Sequence, residues 1–208
     1  MNELLLRGLY AITDERLMTE LDFLLKAEQA LLGGARLIQY RDKSSDTEKR
    51  LYQASALKQL CKKNNSLLII NDDIELARTV QAHGVHLGKD DTSIEHARQQ
   101  LGEDSIIGIS CYNQLDLALE AEKAGADYVA FGAFFPSLTK PDAHTASLEL
   151  LKSAKQQLQL PICCIGGITV DNADTLIDQG ADMTAIITDL FSSNDIQTTA
   201  SHITRLFS

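Results

Sequence analysis

Along the chain, short apolar or β-branched runs alternate with longer segments whose apolar residues recur every three or four positions. The runs are LYAIT (9–13), RLIQYR (36–41), LLIIN (67–71), VHL (85–87), IIGIS (106–110), YVAFG (128–132), ICCIG (162–166) and MTAIIT (183–188). They read as eight strands. Helices are predicted near 20–32, 46–64, 73–82, 92–101, 114–124, 147–158, 170–179 and 195–207. The second shows the reason: Leu51, Ala54, Leu57 and Cys61 form an apolar face at spacings of three and four, with charge opposite. Four helices run into the next strand through similar phrases, GGAR (33–36), AHGV (82–85), AGAD (124–127) and QGAD (179–182). Glycine there supplies a left-handed cap and the turn into a strand. Strict strand–helix alternation predicts a parallel sheet with helices outside. Eight such units close a compact (β/α)8 barrel, an α/β TIM barrel of one domain spanning 1–208. A doubly wound open sheet is the alternative, but no Gly-x-Gly-x-x-Gly follows the first strand.

Composition narrows the partners. In 208 residues, 44% are hydrophobic, enough for a sizeable core, and the 23% charged fraction argues against disorder. The net charge of −10 and the lack of a long Lys/Arg cluster argue against nucleic acid and anionic membranes. No run reaches the roughly 18 residues of a membrane span, and three leucines before Arg7 are too few for a signal-peptide core. The four cysteines form no CxxC and read as reduced, buried thiols of a cytoplasmic protein. Cys163 and Cys164, adjacent in a strand, should face opposite ways. The expected partners are small molecules, and a homo-oligomer is compatible with the sequence.

In such a barrel the site lies at the C-terminal strand ends, and the unusual polar residues fall there. Gln39, Arg41 and Lys43 alternate after strand 2 and would share one face, suiting an anionic ligand. Acidic doublets, Asp72-Asp73 and Asp90-Asp91, follow strands 3 and 4. Neighbouring strands lie about 4.8 Å apart, so one Asp from each doublet could share a hard cation such as Mg²⁺. Helix caps are the plainer reading, and Asp73 suits a helix start. After strand 6, Ser137, Thr139 and Lys140 sit in a long loop between Pro136 and Pro141, suited to closing over a diphosphate. Gly166 and Gly167 end strand 7, where backbone can approach a ligand and the next helix offers N–H groups to an anion. Of five histidines, His86 alone falls near the mouth, and none has a metal-ligand spacing. There is no catalytic triad.

The ordered motifs QYRDK, NDD, VHLGKDD, GISCYN, FGAFFPSLTK and IGGIT resemble the thiamine phosphate synthases, also called thiamine-phosphate pyrophosphorylases, over roughly 8–206. The resemblance implies a (β/α)8 barrel that joins an aminopyrimidine methyl diphosphate to thiazole phosphate with Mg²⁺, releasing diphosphate. It implies pyrimidine-diphosphate contacts from Gln39, Arg41, Lys43 and Asn71, metal ligation by Asp72 and Asp91, and roles for Ser110, Ser137, Thr139 and Lys140. It implies thiazole phosphate resting near Gly167, Ile187 and Thr188. Arg41, Lys43, Lys140 and Ser110 would then be the catalytic set. The chain departs from the family pattern at Lys89, Tyr112, Ala133, Ser137, Thr188 and Asp189. A carboxylate at 189 would repel a phosphate unless it points away. The alternatives are a thiazole tautomerase on the same barrel, using a His base without metal, and a non-catalytic thiamine-phosphate binder.

Overall fold

The computed structural model describes residues 6–88, 91–136 and 145–208. Eight strands pair in parallel in sequence order, and β1 (Gly8–Ile12) also pairs with β8 (Met183–Ile186), closing the barrel. The others are β2 (Leu37–Tyr40), β3 (Leu67–Asn71), β4 (Gly84–Leu87), β5 (Ile106–Tyr112), β6 (Tyr128–Phe131) and β7 (Ile162–Ile165). Outside lie α1 (Phe23–Leu32), α2 (Thr47–Lys63), α3 (Ile74–Thr79), α4 (Ile94–Leu101), α5 (Leu115–Lys123), α6 (Leu148–Gln157), α7 (Ala173–Asp178) and α9 (Ile196–Arg205), with a four-residue helix α8 (Thr188–Phe191) after β8. The last is a correction: the apolar run to Thr188 reads as strand, but the chain leaves the ladder at Ile186 and coils.

Strand parity makes two cores. Tyr10, Ile12, Leu37, Ile69, Ile106, Tyr128, Cys163 and Met183 fill the barrel interior. Leu9, Ala11, Ile38, Leu68, Ile107, Val129 and Cys164 face the helices. The two adjacent thiols do face opposite ways, and burial pushes both up from the ordinary cysteine range. Burying each large aliphatic side chain contributes about 1.5–3 kcal/mol.

The helix faces follow the same logic with one exception. In α2, Ala54, Leu57 and Cys61 are buried as expected, but Leu51 is 43% exposed. The polar Gln53 is buried in its stead, because its Oε1 accepts a hydrogen bond from the Tyr40 hydroxyl at 3.0 Å. Side chains of Asp46, Asp73, Ser93, Ser147 and Asp195 accept backbone N–H groups at helix starts.

The recurring glycine phrases have two physical origins. Gly34, Gly125 and Gly180 take φ of +99°, +89° and +101°, the left-handed turn after a helix. Gly84 does not. In that turn the positive φ falls on Gln81, and Gly84 is a strand residue whose Cβ would stand 1.9 Å from the Ile106 carbonyl oxygen. Glycine is there for strand packing.

These phrases also carry a repeated polar plug. Asp127, before β6, accepts the Ile107 N–H of β5 at 2.8 Å and pairs with Arg98 of α4 at 2.8 Å. Asp182, before β8, accepts the Ile162 N–H of β7 at 2.9 Å and pairs with Lys155 of α6 at 2.7 Å. His83, before β4, does the same with Nδ1, accepting the Leu68 N–H of β3 at 2.7 Å, with Lys58 of α2 3.2 Å from Nε2. Burial, and then the Lys58 charge, push His83 down to about 4.

Candidate active site

Inward parity carries Gln39, Asn71, His86 and Ser110 from β2, β3, β4 and β5 to the C-terminal end of the barrel. The registers Asn71–His86 and His86–Gly108 put the last strands of this group side by side. They open on a cavity of about 690 Å³. Its wall includes Gln39, Arg41, Asn71, Ser110, Gly167, Ile187 and Thr188 among the expected ligand residues, together with apolar Ile12, Ala130, Ile165 and Ala185.

Lys43, Asn71 and Asp72 form one bonded group at the rim. Lys43 Nζ donates to Asp72 Oδ2 at 2.5 Å, and Asn71 Nδ2 donates to the same oxygen at 2.6 Å. Asp72 sits at φ +62°, in the left-handed region that Asp tolerates better than most residues. Its N–H still reaches the His86 carbonyl oxygen at 2.9 Å, and β3 ends just before it. Asp73 takes the plainer role: it caps α3 through the Leu76 N–H at 2.8 Å and pairs with Arg50 at 2.6 Å. Asp91 makes a different contact. It is exposed on the bend after β4, where Oδ2 accepts the Gly88 N–H at 2.6 Å. Asp90, Lys89, Ser137, Thr139 and Lys140 lie outside the described residues. Among the described residues no cluster of three or more His, Cys, Asp or Glu side chains forms a metal site.

The strand-7 end lines the cavity and also has a packing reason for its glycines. Gly166 and Gly167 are at φ +101° and +62°, and what crowds them is protein. A Cβ on Gly166 would lie 2.3 Å from the Ala133 Cβ, and one on Gly167 2.3 Å from the Pro136 carbonyl oxygen. These glycines let the loop after β7 pack against the loop after β6. The N–H groups expected to serve an anion are partly spoken for: Asn172 Oδ1 accepts the Thr169 N–H, and Asp189 Oδ2 accepts the Val170 N–H at 3.1 Å. Asp189 is thus tied to the neighbouring loop while still on the cavity wall.

At and beneath the floor of the cavity lie polar residues that hydropathy hides. Tyr10 and Tyr128 sit in strands that read as apolar runs, yet both project inward. Gln39 Nε2 donates to the Tyr10 hydroxyl at 2.8 Å, and the two hydroxyls are 2.9 Å apart. The Tyr128 hydroxyl is 2.9 Å from His86 Nδ1, and His86 Nε2 is 2.9 Å from Ser110 Oγ. The signal for both tyrosines was parity with Gln39 and Ser110. Burial pushes both phenols up from the ordinary tyrosine range, so they stay protonated.

Comparison with known proteins gives this site a lineage. The family model described as thiamine monophosphate synthase matches residues 9–190. The chain is 50% identical over 202 residues to a thiamine-phosphate synthase of Thioalkalivibrio sulfidiphilus, covering 97% of this chain and 96% of the relative. It is 53% identical over 195 residues to one of Nitrosococcus oceani, covering 94% and 90%. Among solved structures, a thiamine phosphate pyrophosphorylase from Pyrococcus furiosus superposes with a TM-score of 0.88 at 35% identity, over 97% of this chain and 96% of that one. A full-length match in sequence and in barrel geometry leaves one conclusion: the chain belongs to the thiamine monophosphate synthase family.

Proposed function

We propose that this chain is a transferase of thiamine biosynthesis. It joins 4-amino-2-methyl-5-(diphosphomethyl)pyrimidine to 4-methyl-5-(2-phosphoethyl)thiazole, giving thiamine phosphate and diphosphate. The observation that carries the reading is one barrel mouth where Arg41, Asn71 and Ser110 line a deep cavity and Lys43 and Asp72 meet at its rim. The names of the full-length relatives agree with it.

The chemistry is a dissociative substitution. The methylene C–O bond breaks, its electron pair leaves with diphosphate, and the aminopyrimidine spreads the positive charge. The thiazole nitrogen lone pair then forms the new C–N bond. Such a reaction needs positioning and charge stabilisation more than a nucleophile. Arg41 offers a planar fork to diphosphate oxygens, with Lys43 and Lys140 as point charges. Ser137 and Thr139 add hydroxyls. Ile12, Ala130, Ile165 and Ala185 exclude water that would otherwise capture the cation. The thiazole phosphate rests against the backbone near Gly167, Ile187 and Thr188.

Asp72 and Asp91 fit a hard divalent cation. Both present only oxygen donors, both sit past the C-terminal ends of adjacent strands, and Asp72 already gathers two positive or N–H donors on one oxygen. Mg²⁺ takes one or two carboxylates with phosphate and water completing its octahedron. When bound there it would supply positive charge against the diphosphate. We place the enzyme in the cytoplasm, as one domain spanning 1–208.

Purified protein with both substrates and Mg²⁺ should yield thiamine phosphate and diphosphate in equal amounts, and EDTA should stop it. A tautomerase would isomerise a thiazole carboxylate phosphate without metal, and a binding protein would take up thiamine phosphate with no turnover. Either outcome, with folded protein, overturns the synthase reading.

A further inference from the structure

Gln39, Tyr10, His86 and Ser110 of the cavity wall, with Tyr128 buried beneath them, form a chain whose hydrogen bonds run one way. The direction follows from the orientation of the Gln39 amide, with its nitrogen toward Tyr10, and from counting hydrogens. An amide nitrogen can only donate, so Gln39 Nε2 donates to the Tyr10 oxygen. Tyr10 is 1% exposed, and its hydroxyl must place its own hydrogen on an acceptor. Among the described residues that acceptor is the Tyr128 oxygen at 2.9 Å. If Tyr128 donated instead, the Tyr10 hydrogen would be buried with no acceptor. Tyr128, fully buried, then has its hydrogen left for His86 Nδ1 at 2.9 Å. A nitrogen that accepts carries no hydrogen, so His86 is protonated on Nε2. It donates from there to Ser110 Oγ at 2.9 Å. With Ser110 Oγ accepting from His86, its own hydrogen is left to donate into the cavity that it lines.

We propose that Gln39, Tyr10, Tyr128 and His86 form a directional relay that fixes His86 as the Nε2–H tautomer and makes Ser110 a hydrogen-bond donor to the substrate. The substrate group it meets is an acceptor, a pyrimidine ring nitrogen or a diphosphate oxygen. Tyr10, Tyr128 and His86 are positioning residues, since they act through Ser110. Glycine at 108 belongs to the same device. A Cβ there would lie 1.9 Å from the Tyr128 ring, so only glycine lets that ring lie across the barrel. His86 stacks on it, centroids 5.6 Å apart and 24° between planes, which holds the imidazole in line. The assignment of a substrate rests on the synthase reading; the tautomer does not.

The test is nitrogen NMR of ¹⁵N-histidine-labelled free protein, with the His86 signals assigned by their loss in His86→Asn. The relay predicts an unprotonated Nδ1 and a protonated Nε2. Tyr128→Phe should abolish that preference, and Tyr10→Phe should keep it, because Tyr128 can still donate to His86. Loss of a packing hydroxyl alone would affect both variants alike. In kinetics, Tyr128→Phe should raise KM for the pyrimidine diphosphate about fivefold, the weight of one hydrogen bond. In a Ser110→Ala background it should add nothing. An Nδ1–H tautomer in the wild type, or an unchanged tautomer in Tyr128→Phe, overturns the relay. Because the tautomer is read without substrate, failure of the synthase assay leaves this result standing, and the reverse.

Discussion

At the scale of single residues, parity and charge decide most of what happens at the mouth, and Asp189 is the residue that goes against the ligand's charge. It stands in the first turn of α8, where a carboxylate is favoured by the helix dipole. Its Oδ2 holds the Val170 N–H at 3.1 Å. An Asn side chain can accept the same N–H without the charge. Asp189→Asn should therefore lower KM for thiazole phosphate roughly two- to fivefold, the size of one screened like-charge contact, with kcat changed little. Steady-state kinetics with the thiazole substrate varied would read this, and a higher KM would show that the carboxylate assists binding. The candidate ligands at strand ends were legible in the sequence because polar residues are conspicuous where apolar runs stop. Gln39, Asn71 and Ser110 all fall on the cavity wall as their parity predicts. What stayed hidden were Tyr10 and Tyr128, since an aromatic inside an apolar run reads as core. Also hidden was the use of Val170 and Thr169 N–H groups by Asp189 and Asn172, which depends on contacts distant in sequence or on exact loop geometry.

At the scale of elements, the barrel repeats one joint three times, with one member chemically different. Asp127, Asp182 and His83 each accept an N–H from the preceding strand beside a cation from a helix. Two are carboxylates that pair with Arg98 and Lys155. His83 must stay neutral beside Lys58, and burial first, then that charge, lower it from 6.5 to about 4. The sign follows: between about 6.5 and 4 the unfolded chain binds a proton that the folded chain refuses. The stability contribution is complete above the upper value and is lost as pH falls to the lower one. Screening at this partly exposed site reduces it to roughly 1–2 kcal/mol. Urea unfolding of wild type and His83→Gln across this range should show the difference between them shrinking as pH falls. Parallel profiles would mean that His83 titrates alike folded and unfolded. The eight strands and their helices were readable because the period changes from two to 3.6 at each boundary. The end of β8 was not, because Ile187 and Thr188 continue the apolar, β-branched run while the backbone has already turned into α8. Leu51 misled for a related reason: spacing marks a face, but the Tyr40–Gln53 hydrogen bond sets which edge of it is buried.

At the scale of the whole molecule, a chain with a net charge of −10 is proposed to bind two phosphorylated substrates. It can do so because local field, not total charge, governs a ligand in a cleft. Arg41 and Lys43 follow the end of β2 at the mouth, while Asp73, Asp127 and Asp182 are neutralised by Arg50, Arg98 and Lys155. Among the described residues no helix is long and apolar enough to cross a membrane. The barrel's working end is thus a single proposed site for the departing diphosphate, built from the ends of β2, β3 and β4. Calorimetric titration with inorganic diphosphate, in the presence and absence of Mg²⁺, tests that most directly. Wild type should bind diphosphate with Mg²⁺ and much more weakly without it. Asp72→Asn, Asp91→Asn and Arg41→Ala should each weaken the Mg²⁺-dependent binding at least about tenfold, or 1.4 kcal/mol. Asp73→Asn, which keeps the helix cap through its amide oxygen and loses only its ion pair with Arg50, should stay within about twofold of wild type. Equal losses in all four variants, or diphosphate binding indifferent to Mg²⁺, would contradict a shared cation and leaving-group site at the ends of these strands.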